Sequence, residues 1–290
     1  MFFSIIVPTF NNASLLIKTL NSIEKQTNKD FELIIVDNNS TDHTHELIKK
    51  CSIDNLIYKK INNKGIISKS RNLGITISKG KWLIFLDSDD LIYEEKIDFL
   101  KKNISDDFDL FCNAEKIVNL DNGSTKIWKY GPVENNFYEK MLKNGNRFST
   151  SASIVKKSFL EKNHLNFNER KDFITAEDYD FFLNLVNRGA RVKFFQEILG
   201  EHTFYKGSMS SNFDLHKSAV KSVLKYHVFE IQNFTDNKKK LWNSLKWRFN
   251  IMDFLYKFKR KSFISSTFSA LIAFYNSPLM VIRFFYKKIL

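Results

Sequence analysis

Residues 82–90 read WLIFLDSDD. The apolar run from Trp82 to Leu86 shows no alternation, which suits a strand covered on both faces, as in α/β sheets. Asp87, Ser88, Asp89 and Asp90 follow at once. Three carboxylates within four residues repel one another and bring an unliganded chain no benefit. Hard oxygen ligands at the carboxyl end of a strand make sense where a divalent cation and phosphates sit. An acidic turn that caps the next helix through Asp89 or Asp90 explains the same letters equally well. The neighbouring segments decide between the two.

Upstream, residues 2–7 form an apolar run ending in Pro8-Thr9-Phe10-Asn11-Asn12, with Asn11 or Asn12 opening a helix whose buried stripe is Leu15, Leu16, Leu20 and Ile23. Residues 31–36 repeat the pattern and end in Asp37-Asn38-Asn39-Ser40-Thr41-Asp42, where Thr41 is placed to cap a helix reaching Lys49-Lys50. A third strand is predicted over residues 56–61 and a helix over residues 68–77. Strands alternating with helices at short intervals imply βαβ units and a parallel sheet. PTFNN, DNNSTD and DSDD each fall just after a strand, so all three polar clusters converge on one sheet edge, where open α/β sheets bind ligands. Ordinary turn chemistry explains each cluster singly; as a set they point to binding.

The ligand class narrows by exclusion. No G-x-G-x-x-G fingerprint is present, and residues 74–81 miss a Walker A loop by one residue, with Trp82 where Ser or Thr should stand. His43 and His45, two apart, would leave a helix on different faces, so they make no zinc pair. A nucleoside diphosphate held through a carboxylate-bound metal remains.

At 290 residues, with only 3 prolines and 9 glycines, the chain can bury a large core and has no long flexible linker; one α/β domain plus an appendage is predicted. Cys51 and Cys112 lack framework spacing, which favours a reducing compartment over a structural disulfide. Met1-Phe2-Phe3-Ser4 has no basic n-region, so no signal peptide is expected. The net charge of +13 is uneven: residues 215–290 hold 15 Lys+Arg against 3 Asp+Glu, and residues 1–214 hold 30 against 29.

In order and spacing, SIIVPTFNN, ELIIVDNNSTD, GIISKSRNLGI, LIFLDSDD and TAEDYDFFLNL resemble glycosyltransferase family 2, the inverting GT-A transferases that use nucleotide-sugar donors. The resemblance covers roughly residues 2–210. It implies an α/β GT-A fold with a mainly parallel central sheet, a catalytic domain over residues 1–214 (nucleotide-sugar half about 1–105, acceptor half about 106–214) and a basic helical tail over residues 215–290. It also implies roles. Pro8, Thr9 and Asn11 would line the nucleotide pocket, and Asp37 would accept from a uracil imide. Arg71 would lie near the nucleotide or its phosphates, and Asp87 and Ser88 near the ribose or the water shell of the metal. Asp89 would be the main ligand to Mn²⁺ or Mg²⁺, while Asp90 would orient the acceptor or cap the next helix. Asp178 would take the acceptor's proton, with Glu177 as the alternative base; a helix N-terminus favours the ionised form.

One departure stands out. Where the family often carries Tyr-Arg-x-His before Ser-x-Ser, this chain has Tyr205 at the histidine position ahead of Ser208-Met209-Ser210, with His202 three residues earlier. His202 is a minor candidate for the metal, Lys206 is placed to meet the diphosphate, and Gly207 with the serines suggests a closing loop. Trp128-Lys129-Tyr130 is the expected acceptor wall, with strands over residues 108–118 and 149–155.

In the tail, Val220, Val223, Leu224, Val228 and Ile231 form one helical stripe, and Leu241, Trp242, Leu245, Phe249 and Met252 a second. Residues 262–282 carry no charge, yet Ser262, Ser266, Ser269 and Asn276 make a polar stripe and basic residues flank both ends, which fits helices lying in a membrane interface better than a span. Docking on an anionic membrane surface ranks first for the tail and a homodimer second; nucleic acid is set aside for want of a motif. The expected activity is metal-dependent, inverting transfer of a single sugar from a UDP-sugar to a hydroxyl of a lipid-linked oligosaccharide, lipooligosaccharide or polysaccharide, at the cytoplasmic face of the cell membrane. A sugar-1-phosphate nucleotidyltransferase lacks its Gly-rich loop here, and a non-catalytic adaptor is opposed by intact DSDD and Glu-Asp motifs.

Overall fold

The computed structural model describes residues 1–259. Strands β1 (Phe3–Thr9), β2 (Phe31–Asp37), β3 (Leu56–Lys60) and β4 (Trp82–Phe85) lie parallel in the order β3-β2-β1-β4. Helices α1 (Ala13–Glu24), α2 (Thr44–Lys49) and α3 (Ile67–Ile77) connect them. Every residue of β1, β2 and β4 is buried, as expected for unalternating apolar runs with both faces covered. The two-residue period sorts their side chains into two cores. Ile6, Ile34, Val36, Leu83 and Phe85 meet Ile75 of α3 on one face. Phe3, Ile5, Val7, Leu33, Ile35 and Ile84 meet Leu16, Leu20 and Ile23 of α1 on the other.

Past β4 the sheet becomes mixed. Antiparallel β8 (Ser153–Lys156) follows, then β6 (Leu110–Asn119), then β9 (Val192–Phe204) parallel to β6, then the short β5 (Leu91–Ile92) antiparallel to β9. A two-stranded ribbon of β6 with β7 (Thr125–Trp128) stands off this path. Two expectations change here. No helix starts directly after the acidic run: Leu91 and Ile92 pair with Glu201 and Gly200 of β9, and helix α4 (Lys96–Asn103) begins only at Lys96. Neither Asp89 nor Asp90 is therefore a helix cap. The 13-residue β9 was not anticipated, because its burial follows irregularities in the pairing with β6 rather than a regular alternation.

Helices α5 (Phe137–Asn144), α6 (Lys157–Asn163) and α7 (Glu177–Asn187) complete the second half. Helix α8 (Phe213–Tyr226) runs into a π-helical turn, His227–Ile231, and α9 is Lys238–Lys259. Val220, Val223, Leu224, Val228, Leu241, Leu245 and Phe249 share one core with Phe181, Phe182 and Leu185 of α7. At ~1.5–3 kcal/mol for each fully buried side chain of this kind, that contact holds residues 215–251 on the body as a layer. The apolar stripes of the tail are thus turned inward over its described part, with Lys221 and Lys225 exposed. Residues 260–290, including the uncharged run 262–282 and its basic flank, lie outside the described residues. No described helix is long and apolar enough to cross a membrane. Cys51 and Cys112 are both free, Cys112 buried.

Candidate functional site

The carboxyl ends of β1, β2 and β4 bring the three polar clusters together. Asp37 closes β2 fully buried; one oxygen accepts from the Ser40 amide (2.9 Å) and hydroxyl (2.6 Å), the other from the Tyr58 hydroxyl (2.6 Å). A uracil imide would have to share the Tyr58-bound oxygen, whose second lone pair carries no donor among the described residues. Pro8 and Thr9 end β1, and the Thr9 hydroxyl is buried without a partner among the described residues. Asn11, in the left-handed region at φ 45°, donates its amide to Ser40 and accepts from the Thr41 amide (2.8 Å), tying the first loop to the second. Asn12 stands before α1 but does not cap it, because its side chain donates to Ser88 (3.2 Å). The capping bond comes from Asp42, which accepts from the Ala13 amide at 2.9 Å. On α2 the expected cap Thr41 is bypassed, and the helix starts at Thr44.

Arg71 on α3 is 3% exposed. Its fork donates to Asp87 and to Glu177, each at 2.7 Å, and its Cζ lies 5.2 Å from the Phe167 ring centroid. Burial works against its charge, but the two carboxylates hold the guanidinium more firmly protonated than in water. Arg71 therefore joins the nucleotide half to α7, with both terminal nitrogens committed and Nε buried without a partner among the described residues. The family resemblance implied Arg71 near the nucleotide or its phosphates; it did not reveal a partner 106 positions away.

The three acidic residues of the strand end have different surroundings. Asp87 is neutralised by Arg71, and its amide donates to Ser151. Asp90 is fully buried and organises the neighbouring chain: it accepts from the Ser151 hydroxyl (2.5 Å), the Thr203 amide (2.7 Å) and His202 Nδ1 (3.1 Å). Asp89 makes no salt bridge among the described residues; Tyr205 donates a hydrogen bond to it, and His202 is the nearby positive charge. Burial first, then the charges of Asp90 and Asp87, push its carboxyl up to about 7. A bound cation would reverse that penalty, so the donor chemistry fits a hard divalent ion. Among the described residues no three His, Cys, Asp or Glu side chains converge as a ready-made metal site. His202 hydrogen-bonds Asp90 through Nδ1; burial opposes its charge, but Asp90 overrides this and raises the ring above its usual range. Lys206 is exposed on the loop after β9, its amide held by Asp121.

Beside this mouth, the first turn of α7 carries Glu177, Asp178 and Asp180. Glu177 accepts from Arg71 and from the Thr175 amide (2.9 Å), which removes it as a free base. Asp178 accepts from Asn146 Nδ2 at 3.1 Å. The helix terminus was expected to favour the ionised form of Asp178. Instead burial, followed by the charge of Glu177, outweighs it and pushes the carboxyl up to about 7. That value still suits a base working near neutrality. Asn146, Ser151 and Tyr58 were not foreseen; each sits in a segment without a local signature and acts through a partner distant in sequence.

Comparison with known proteins places these features in a family. The model described as Glycosyl transferase family 2 matches residues 4–162. A poly(ribitol-phosphate) β-N-acetylglucosaminyltransferase, TarP of Staphylococcus aureus, is 33% identical over 204 residues, 63% of this chain and 57% of TarP. An Escherichia coli UDP-Glc:α-D-GlcNAc-diphosphoundecaprenol β-1,3-glucosyltransferase, WfaP, is 28% identical over 209 residues, 72% of this chain and 80% of WfaP. An uncharacterized glycosyltransferase of Rickettsia bellii is 38% identical over 112 residues, 38% of this chain, and the matched stretch spans only 16% of that protein. The structure of S. aureus TarS residues 1–349 with UDP-GlcNAc superposes with a TM-score of 0.61 at 20% identity, covering 92% of this chain and 89% of that one, which shows the GT-A fold. With the family model spanning more than half its length and the polar clusters gathered at one sheet edge, the chain belongs to glycosyl transferase family 2.

Proposed function

We propose that the protein transfers a single sugar from a UDP-sugar to a hydroxyl of a cell-surface glycan acceptor, with inversion at the anomeric carbon. The observation that carries this reading is the division of labour among the acidic residues. Arg71 is shared as an ion-pair partner by Asp87 and Glu177, while Asp89 and Asp178 make no salt bridge among the described residues and are each pushed up to about 7. Asp178 takes the proton from the acceptor hydroxyl as that oxygen bonds to the anomeric carbon. The bond from that carbon to the diphosphate breaks on the opposite side, and UDP departs with the electron pair. Asp89 is the residue to hold Mn²⁺ or Mg²⁺, which when bound supplies Lewis-acid charge for the departing diphosphate.

The donor class is supported by TarS, whose structures contain UDP-GlcNAc and UDP. The acceptor class is supported by WfaP, named for a diphosphoundecaprenol-linked substrate, and by TarP, named for a poly(ribitol-phosphate). We further propose that the tail docks the enzyme on the cytoplasmic face of an anionic membrane, with pairing into a homodimer as the competing use. The 15 basic residues of 215–290 support docking, at about 1 kcal/mol for each that reaches an anionic leaflet. Release of UDP from UDP-GlcNAc or UDP-glucose, measured with Mn²⁺ and again with excess chelator, tests the reaction. No release from any UDP-sugar would refute it, and undiminished release in chelator would refute the metal. Flotation with anionic vesicles at low and high salt tests the tail; lipid-indifferent protein that sediments as a dimer would overturn docking.

A further inference from the structure

Asp180 is fully buried two residues beyond Asp178, where it can touch no substrate. One of its oxygens lies 2.9 Å from His227 Nε2, and the other accepts from Asn184 (3.1 Å). A carboxylate only accepts, so Nε2 carries the hydrogen. The opposite nitrogen, Nδ1, lies 2.9 Å from the Tyr138 hydroxyl, which donates to it when the ring is neutral. His227 is also fully buried and sits in the π-helical turn after α8, a local irregularity of the kind found where a side chain must be aimed. Tyr138 lies on α5, which reaches the same helix twice more. Met141 O accepts from the Tyr179 hydroxyl at 2.6 Å, and Asn146, just past the end of α5, contacts Asp178 itself. Helix α9 closes the arrangement through Arg248, which donates to Leu142 O at 2.7 Å.

The other end of the segment is braced from the same layer. Thr175, a β-branched residue, has φ 80°, a conformation costing on the order of 1–3 kcal/mol that persists only where its surroundings impose it. Its amide donates to Glu177, and its carbonyl accepts from His216 Nδ1 (2.9 Å), a residue of α8. Two histidines from α8 and its terminal turn thus hold the chain on either side of Asp178.

We infer that His227, acting through Asp180 and Tyr138, is a positioning residue for the Asp178 base, with His216 as its counterpart at Thr175. The helices after residue 213 are then working parts of the active site, not only a membrane or dimer appendage. The inference rests on the reading of Asp178 as the base. A histidine that merely fills the core would affect stability alone. A positioning histidine affects turnover by folded enzyme.

The full chain carrying His227→Leu or His227→Gln tests the inference. Gln can donate to Asp180 through its amide and accept from Tyr138 through its carbonyl, whereas Leu can do neither. His227→Leu should lower kcat for UDP release from UDP-GlcNAc by about 100-fold, the loss that a roughly 1 Å misplacement brings, with the donor KM within about twofold of wild type. His227→Gln should keep most of that kcat. Amide hydrogen exchange supplies a readout independent of turnover: His227→Leu should open residues 175–180 and 137–146 selectively, and His227→Gln should not. Unchanged kcat in the Leu variant, equal loss in both variants, or exchange raised evenly across the molecule would each overturn the inference. If wild-type protein released no UDP from any UDP-sugar, the transferase reading would fail, and the exchange pattern alone would still decide whether His227 braces this segment.

Discussion

Replacing Arg71 with Met tests the link on which the two halves of the site depend. The guanidinium is 3% exposed and bridges Asp87 and Glu177, whose side chains are 30% and 9% exposed. Removing one member of a buried pair costs about 3–5 kcal/mol, because the charge left behind has lost its solvation without compensation. Glu177 fits that description, while Asp87 regains part of its hydration, so the lower end, about 3 kcal/mol, is the expected loss. At about 2–4 °C per kcal/mol for chains of this size, Tm should fall by roughly 6–12 °C. Thermal unfolding of wild type and variant, followed by circular dichroism, measures this. Arg71→Lys should recover only part of the loss, since one ammonium cannot reproduce a two-pronged fork. A Tm within about 2 °C of wild type would refute the reasoning.

Asp178→Asn should abolish UDP release while leaving UDP binding intact by calorimetry, and wild-type turnover should fall as pH drops below about 7, where the base gains its proton. Because the folded-state pKa of Asp178 is raised, its contribution to stability is full at acid pH and is lost as pH rises through about 7. The Asn variant should therefore melt above wild type at pH 8 and close to it at pH 4. Asp89→Ala should remove the Mn²⁺-dependent part of the thermal shift produced by UDP, without lowering the Tm of the free protein. Gly80→Ala should destabilise by about 1–3 kcal/mol in denaturant unfolding, because a Cβ there would meet backbone atoms of Phe3 and Ser4 at 2.5 Å.

The strands and helices of residues 2–86 were legible because periodicity and turn chemistry are local. A run such as Phe31-Glu32-Leu33-Ile34-Ile35-Val36 states its own burial, and it recurs as β2 in a sheet whose topology follows from right-handed crossovers. The convergence of PTFNN, DNNSTD and DSDD was legible for the same reason: strand direction alone puts all three at one edge. Tertiary structure decided which acidic residue is free to act. Asp87, Asp89 and Asp90 are near-identical letters, yet only the arrival of Arg71 from α3, of Ser151 and of His202 with Thr203 from β9 separates them into an ion-paired, an uncompensated and a buried structural carboxylate. Glu177 and Asp178 are separated in the same way by Arg71 and Asn146. The apolar stripes after residue 213 were visible in the sequence, but amphipathicity does not say what a helix faces; the folded chain turned those of residues 215–251 onto α5 and α7. A side chain's propensity is a property of its neighbours along the chain, whereas its charge, its partners and its pKa belong to neighbours in space, and those exist only once the chain has closed on itself.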